Sequence, residues 1–118
     1  MKKVKIGFIG IGLMGYPMAK NLLKSKYQVK VFNRTKNKAL KLKKFGAEVC
    51  NSLKEVVSDR DLIITMLSDD KAIKKIYFNT EFIKNLKVGS TVIDMSSANP
   101  KTAINLSKLL YNYYIYFL

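Results

Sequence analysis

Three glycines, Gly10, Gly12 and Gly15, lie between an apolar run from Lys3 to Ile9 and a helical pattern from about Leu13 to Lys24. A chain with this order must turn sharply from strand into helix, and each glycine has a separate task. Gly10 permits the tight turn, Gly12 lets the backbone approach a pyrophosphate, and Gly15 lets the helix pack close to the strand. The unpaired N–H groups and positive dipole end of that helix suit phosphate charge. The pattern points to a dinucleotide, with a ligand-free glycine turn as the alternative.

The rest of the chain alternates short apolar strands with amphipathic helices. Further strands are expected at Gln28 to Phe32, Glu48 to Cys50, Leu62 to Met66 and Thr91 to Met95. Helices are expected at Lys36 to Phe45, ended by Gly46, and at Leu53 to about Ser58 behind a Ser52 cap with Glu55 three residues on. More follow at Asp70 to Tyr77, Thr80 to Asn85 and Pro100 to about Leu110, before the apolar stretch Tyr114 to Leu118. Alternation of this kind requires parallel strands joined by right-handed crossovers. Residues 1–118 therefore read as one doubly wound α/β domain, a Rossmann dinucleotide-binding fold. A ligand would lie across the carboxyl ends of its strands, beside the glycine turn, Asn33-Arg34-Thr35, Met66-Leu67-Ser68 and Ser96-Ser97.

Composition narrows the classes. No apolar run approaches the roughly 20 residues of a membrane span, and Met1-Lys2-Lys3 leads into a strand pattern rather than a signal peptide. A cytoplasmic protein with no membrane association is expected. The single Cys50 and the lack of histidine leave no disulfide and no zinc site, so no metal is expected. Cys50 itself fits a small, partly buried strand residue. The net charge of +14 comes from lysine, twenty of the twenty-two basic residues, spread along the chain rather than grouped with aromatics. That argues against specific nucleic-acid binding, which stays open as a third reading, and favours attraction of anionic ligands.

The residues after the second strand bear on which nucleotide is held. NAD-binding versions carry an Asp or Glu about 20 residues beyond the glycine turn to accept the ribose hydroxyls. Here Asn33, Arg34 and Thr35 occupy that place. A carboxylate would repel a 2′-phosphate, whereas a guanidinium grips it with parallel charge-assisted hydrogen bonds. NADP is expected over NAD, with Arg34 as the clamp and the Asn33 amide and Thr35 hydroxyl as supporting donors. The competing reading of Arg34 is a solvent-facing residue at the strand end.

The run Gly7 to Leu22, G-F-I-G-I-G-L-M-G-Y-P-M-A-K-N-L, closely resembles the opening signature of the β-hydroxyacid dehydrogenases. That family includes 3-hydroxyisobutyrate dehydrogenase, glyoxylate/succinic semialdehyde reductase and, more distantly, 6-phosphogluconate dehydrogenase. Asn33-Arg34-Thr35, Met66-Leu67-Ser68-Asp69 and Asp94-Met95-Ser96-Ser97-Ala98-Asn99-Pro100 match further motifs in the same order. The resemblance implies that Gly10, Ile11, Gly12, Leu13, Met14 and Gly15 hold the pyrophosphate end of the cofactor. It also implies that Met66 and Leu67 border the nicotinamide side with Ser68 as a further cofactor contact, and that Ser97 meets both nicotinamide and substrate, with Ser96 as a second substrate-binding hydroxyl. Ser96 and Asn99 fit equally well as caps of the helix opened by Pro100. Asp69 and Asp94 suit caps or loops rather than catalysis.

In the family, hydride passes between NADPH and a carbonyl carbon of a small carboxylate or aldehyde, assisted by a lysine on a helical second domain. A stretch resembling F-L-D-A-P-V-S-G-G precedes that domain, and this chain ends at Tyr116-Phe117-Leu118, where that stretch would begin. The resemblance therefore implies a truncated, cofactor-binding domain without the catalytic lysine, incomplete for turnover alone. A non-catalytic cofactor-binding or protein-interaction module is the alternative. The apolar C-terminal end would then be exposed and favour self-association.

Overall fold

The computed structural model describes residues 4–96 and 99–118. Six strands, β1 (Lys5–Ile9), β2 (Gln28–Phe32), β3 (Glu48–Val49), β4 (Leu62–Thr65), β5 (Thr91–Asp94) and β6 (Tyr116–Phe117), form one sheet ordered β3-β2-β1-β4-β5-β6. All five neighbouring pairs are parallel. The order reverses between β1 and β4, which is where a doubly wound sheet opens a crevice. Register brings the carboxyl ends level, pairing Ile9 with Phe32 and Thr65, and Thr65 with Asp94.

The connecting helices are α1 (Gly15–Lys24), α2 (Lys36–Leu40), α3 (Leu53–Val57), α4 (Asp70–Tyr77), α5 (Thr80–Lys84) and α6 (Pro100–Tyr111). They cover both sheet faces, so the central strands read as continuous apolar runs. Adjacent residues of β4 serve opposite cores: Ile63 packs with Val57, Tyr77, Val92 and Leu106, while Ile64 packs with Phe8, Ala19, Leu23 and Val31. Gly7 lies beneath α3, where a Cβ would meet the Val56 carbonyl oxygen, so the smallest residue sets how closely that helix approaches β1. No helix among the described residues is long and apolar enough to cross a membrane.

Most element boundaries follow the sequence pattern, and the departures have physical causes. The lysine-rich segment expected as one helix from Lys36 to Phe45 stops at Leu40 and resumes as a 3-10 turn, Lys43–Phe45. No side chain caps its start, no acid lies in its first turn, and Lys38, Lys41 and Lys44 repeat like charge every third residue. Gly46 closes it with φ of 101°. Helix α1 begins at Gly15 rather than Leu13, because the glycine turn itself occupies those residues. The Ser52 cap forms as the spacing implies, its hydroxyl accepting from the Glu55 N–H, while the Glu55 carboxylate accepts from the Asn51 N–H. At the far end of the chain Ile115 enters the core, leaving Tyr111, Tyr114 and Tyr116 exposed beside β6.

Candidate functional site

Two collisions that a side chain would cause fix the glycine turn. Gly10 has φ of 102°, its N–H donates to the Phe32 carbonyl at 3.0 Å, and a Cβ there would strike the Met66 carbonyl. A Cβ on Gly15 would strike the Gly10 carbonyl, so this glycine lets α1 start directly against the turn. Nothing lies near Gly12, which faces open space. Met14 at the helix start makes no capping bond, and the first turn carries no acid. Backbone N–H groups there are left for an anion, with the helix dipole behind them.

Asn33 ties this turn to the end of β2. Its Oδ1 accepts from the Ile11 N–H at 2.9 Å and its Nδ2 donates to the Thr35 carbonyl at 2.9 Å. Asn33 thus orders both loops, and one N–H remains for a ligand. Around the reversal point lies a cavity of about 440 Å³ lined by Gly10, Gly12, Asn33, Arg34, Thr35, Met66, Leu67 and Ser68. Three segments far apart in sequence therefore meet at one place. Ile11, Leu13, Met14 and Gly15 lie outside the cavity lining: Ile11 and Gly15 are buried, with the Ile11 N–H given to Asn33, while Leu13 and Met14 are exposed. Ser97 lies outside the described residues.

The serine and acid positions sort by hydrogen bonding. Ser96 Oγ accepts from the Leu67 N–H at 2.6 Å, so it braces one wall. Asp69 caps α4, accepting from the Ala72 N–H at 2.8 Å, and Asn99 caps α6, accepting from the Lys101 N–H at 2.9 Å. Asp94 accepts from Thr65 Oγ1 at 2.9 Å and from the Ser96 N–H at 3.1 Å.

Sequence reasoning missed three lysines. Lys38, Lys71 and Lys75 join Arg34 on the lining, with Asp69 as the one carboxylate among the described lining residues. The spacing of Lys71 and Lys75, four apart on α4, puts both on one helix face and was the available signal. Such a wall favours a ligand with several negative charges. Cys50, by contrast, is buried, and burial, reinforced by Glu48, pushes its thiol up to about 11.

Residues 5–118 match the model of the NAD-binding domain of 6-phosphogluconate dehydrogenase. The chain belongs to this family. Within it, the chain is similar to glyoxylate/succinic semialdehyde reductase 1 of Arabidopsis thaliana, 35% identical over 108 residues, covering 91% of the chain and 37% of that protein. Among solved structures, 3-hydroxyisobutyrate dehydrogenase of Mycobacterium tuberculosis matches with a TM-score of 0.91 at 26% identity, over 98% of the chain and 39% of that protein. An imine reductase from Myxococcus stipitatus in complex with NADP+ matches with a TM-score of 0.89 at 26% identity, over 96% and 39%. A variant of that reductase in complex with NAD+ shares the fold. The chain thus spans little more than a third of these relatives. It is an NAD(P)-binding Rossmann domain of the β-hydroxyacid dehydrogenase type.

Proposed function

We propose that this domain binds NADP(H) in preference to NAD(H). The observation that carries the reading is the cationic wall of the cavity: Arg34 and Lys38 follow β2, where NAD-binding versions place an acid, and Lys71 and Lys75 come from α4. Arg34 would hold the 2′-phosphate, with the Thr35 hydroxyl and Lys38 as further donors. Gly12 and the free N–H groups at the start of α1 would take the pyrophosphate. When bound, the cofactor supplies hydride, and the domain's own residues bind, orient and screen it from water.

The reaction we propose for the whole protein is hydride transfer between NADPH and a small 3-hydroxy acid, semialdehyde or glyoxylate-like substrate. Similarity to a glyoxylate/succinic semialdehyde reductase and a 3-hydroxyisobutyrate dehydrogenase supports that class. Residues beyond those present here would complete the substrate site. Arg34→Asp tests the specificity claim: it should weaken NADPH by about 1.5–3 kcal/mol, the worth of a charge-assisted contact, and leave NADH little changed. Equal loss for both cofactors would make Arg34 a structural residue.

A further inference from the structure

A closed cycle of hydrogen bonds stitches the ends of β4 and β5. Thr65, the last residue of β4 and fully buried, donates from Oγ1 to Asp94 Oδ1 at 2.9 Å. Its hydrogen is then committed, so the 2.7 Å contact to Tyr77 is a bond donated by the phenol. Asp94 Oδ1 also accepts the Ser96 N–H at 3.1 Å, and Ser96 Oγ accepts the Leu67 N–H at 2.6 Å. Leu67 is two residues beyond Thr65, which closes the cycle. The Met95 N–H crosses its middle to the Thr65 carbonyl at 2.8 Å.

Packing alone does not require this chemistry. Tyr77 sits edge-on to Phe82 and Phe117, with ring centres 4.9 and 5.8 Å away, a setting that a phenylalanine would also fill. Valine has the shape of Thr65. Buried polar groups cost desolvation and, when fully paired, fix one arrangement of the groups they join. Here the joined groups are Leu67 and Ser96, on the β4–β5 side of the crevice. The helices that follow these two strands are pinned together as well, since Asp70 at the start of α4 accepts from the Asn99 N–H at 3.0 Å and from Thr102 Oγ1 at 3.3 Å.

We infer that Thr65, gripped by Tyr77 and Asp94, is a positioning residue that sets the nicotinamide half of the crevice. The inference rests on the cofactor reading above. With the adenosine 2′-phosphate at Arg34 on the β2 side, the other half of a dinucleotide falls across β4 and β5. Thr65 touches no part of the cofactor. It acts through Leu67 and Ser96.

The test compares two ligands on the full chain: NADPH, which spans both halves, and adenosine 2′,5′-bisphosphate, which occupies the adenosine half. Thr65→Val should weaken NADPH about three- to tenfold, shift the fluorescence of the bound nicotinamide, and leave the bisphosphate unchanged. Thr65→Ser should restore both readouts. Tyr77→Phe, which keeps the ring packing, should move NADPH in the same direction by less, and it supplies the answer if Thr65→Val fails to fold. Unchanged NADPH binding in the variants, or equal losses for the two ligands in folded protein, would overturn the inference. Failure of the unaltered chain to bind either ligand would overturn the cofactor reading itself and this inference with it.

Discussion

Asn33 accepts the Ile11 N–H at 2.9 Å, so a side chain at the end of β2 holds the middle of the glycine turn after β1. The same amide donates to Thr35, beside Arg34. Asn33→Ala should therefore cost about 0.5–1.5 kcal/mol of stability per lost hydrogen bond and weaken NADPH and NADH alike. Calorimetric titration of both cofactors separates this shared loss from the NADPH-selective loss expected at Arg34.

The three glycines should behave differently on replacement by alanine. At Gly10, positive φ and the Met66 carbonyl together predict a loss of about 1–3 kcal/mol or more. Gly15→Ala should also destabilise, because the Gly10 carbonyl must move. Gly12→Ala meets nothing in the folded protein, so its unfolding midpoint should stay near that of the unaltered chain while cofactor affinity falls. Thermal unfolding alongside titration checks all three.

Much of the fold was legible because its signals are local. Strand-to-helix alternation, the Ser52 and Gly46 caps and Pro100 at the start of α6 each report on a few neighbouring residues. The cavity was legible where motifs sit at strand ends, as with Arg34 and Met66. Lys71 and Lys75 were not, since a lysine on a solvated face and one beside a ligand look alike until the helix is placed. Thr65 and Tyr77 were hidden for a related reason. Each reads as ordinary strand or core, and only tertiary contact joins them to Asp94.

Acid should weaken the end of the sheet opposite the cavity. The Lys5 backbone N–H and then the Lys87 side chain hold Asp61 below its ordinary value of 3.8, and the Lys5 side chain does the same for Asp59. Their contribution is complete above 3.8 and is lost as pH falls through the lowered values. Lys87 is raised above 10.5 by Asp61, so its share is present below that value and is lost as pH rises through the higher one. These groups are well exposed, and salt should shrink the effect. Asp61→Asn should flatten the acid limb of unfolding midpoint against pH.

Cys50 should resist thiol reagents in the native protein. Burial pushes its thiol up to about 11, which leaves almost no thiolate near neutral pH. Labelling with a thiol-specific chromogenic disulfide should be slow until denaturant is added, then rapid. Rapid native labelling would contradict the buried placement.

The most direct measurement is a paired titration of the unaltered chain with NADPH and NADH under one salt condition. The cationic wall of Arg34, Lys38, Lys71 and Lys75 predicts NADPH binding tighter by about tenfold or more, with the gap narrowing as salt rises. Equal affinities, or tighter NADH, would contradict the assignment of that wall to a 2′-phosphate.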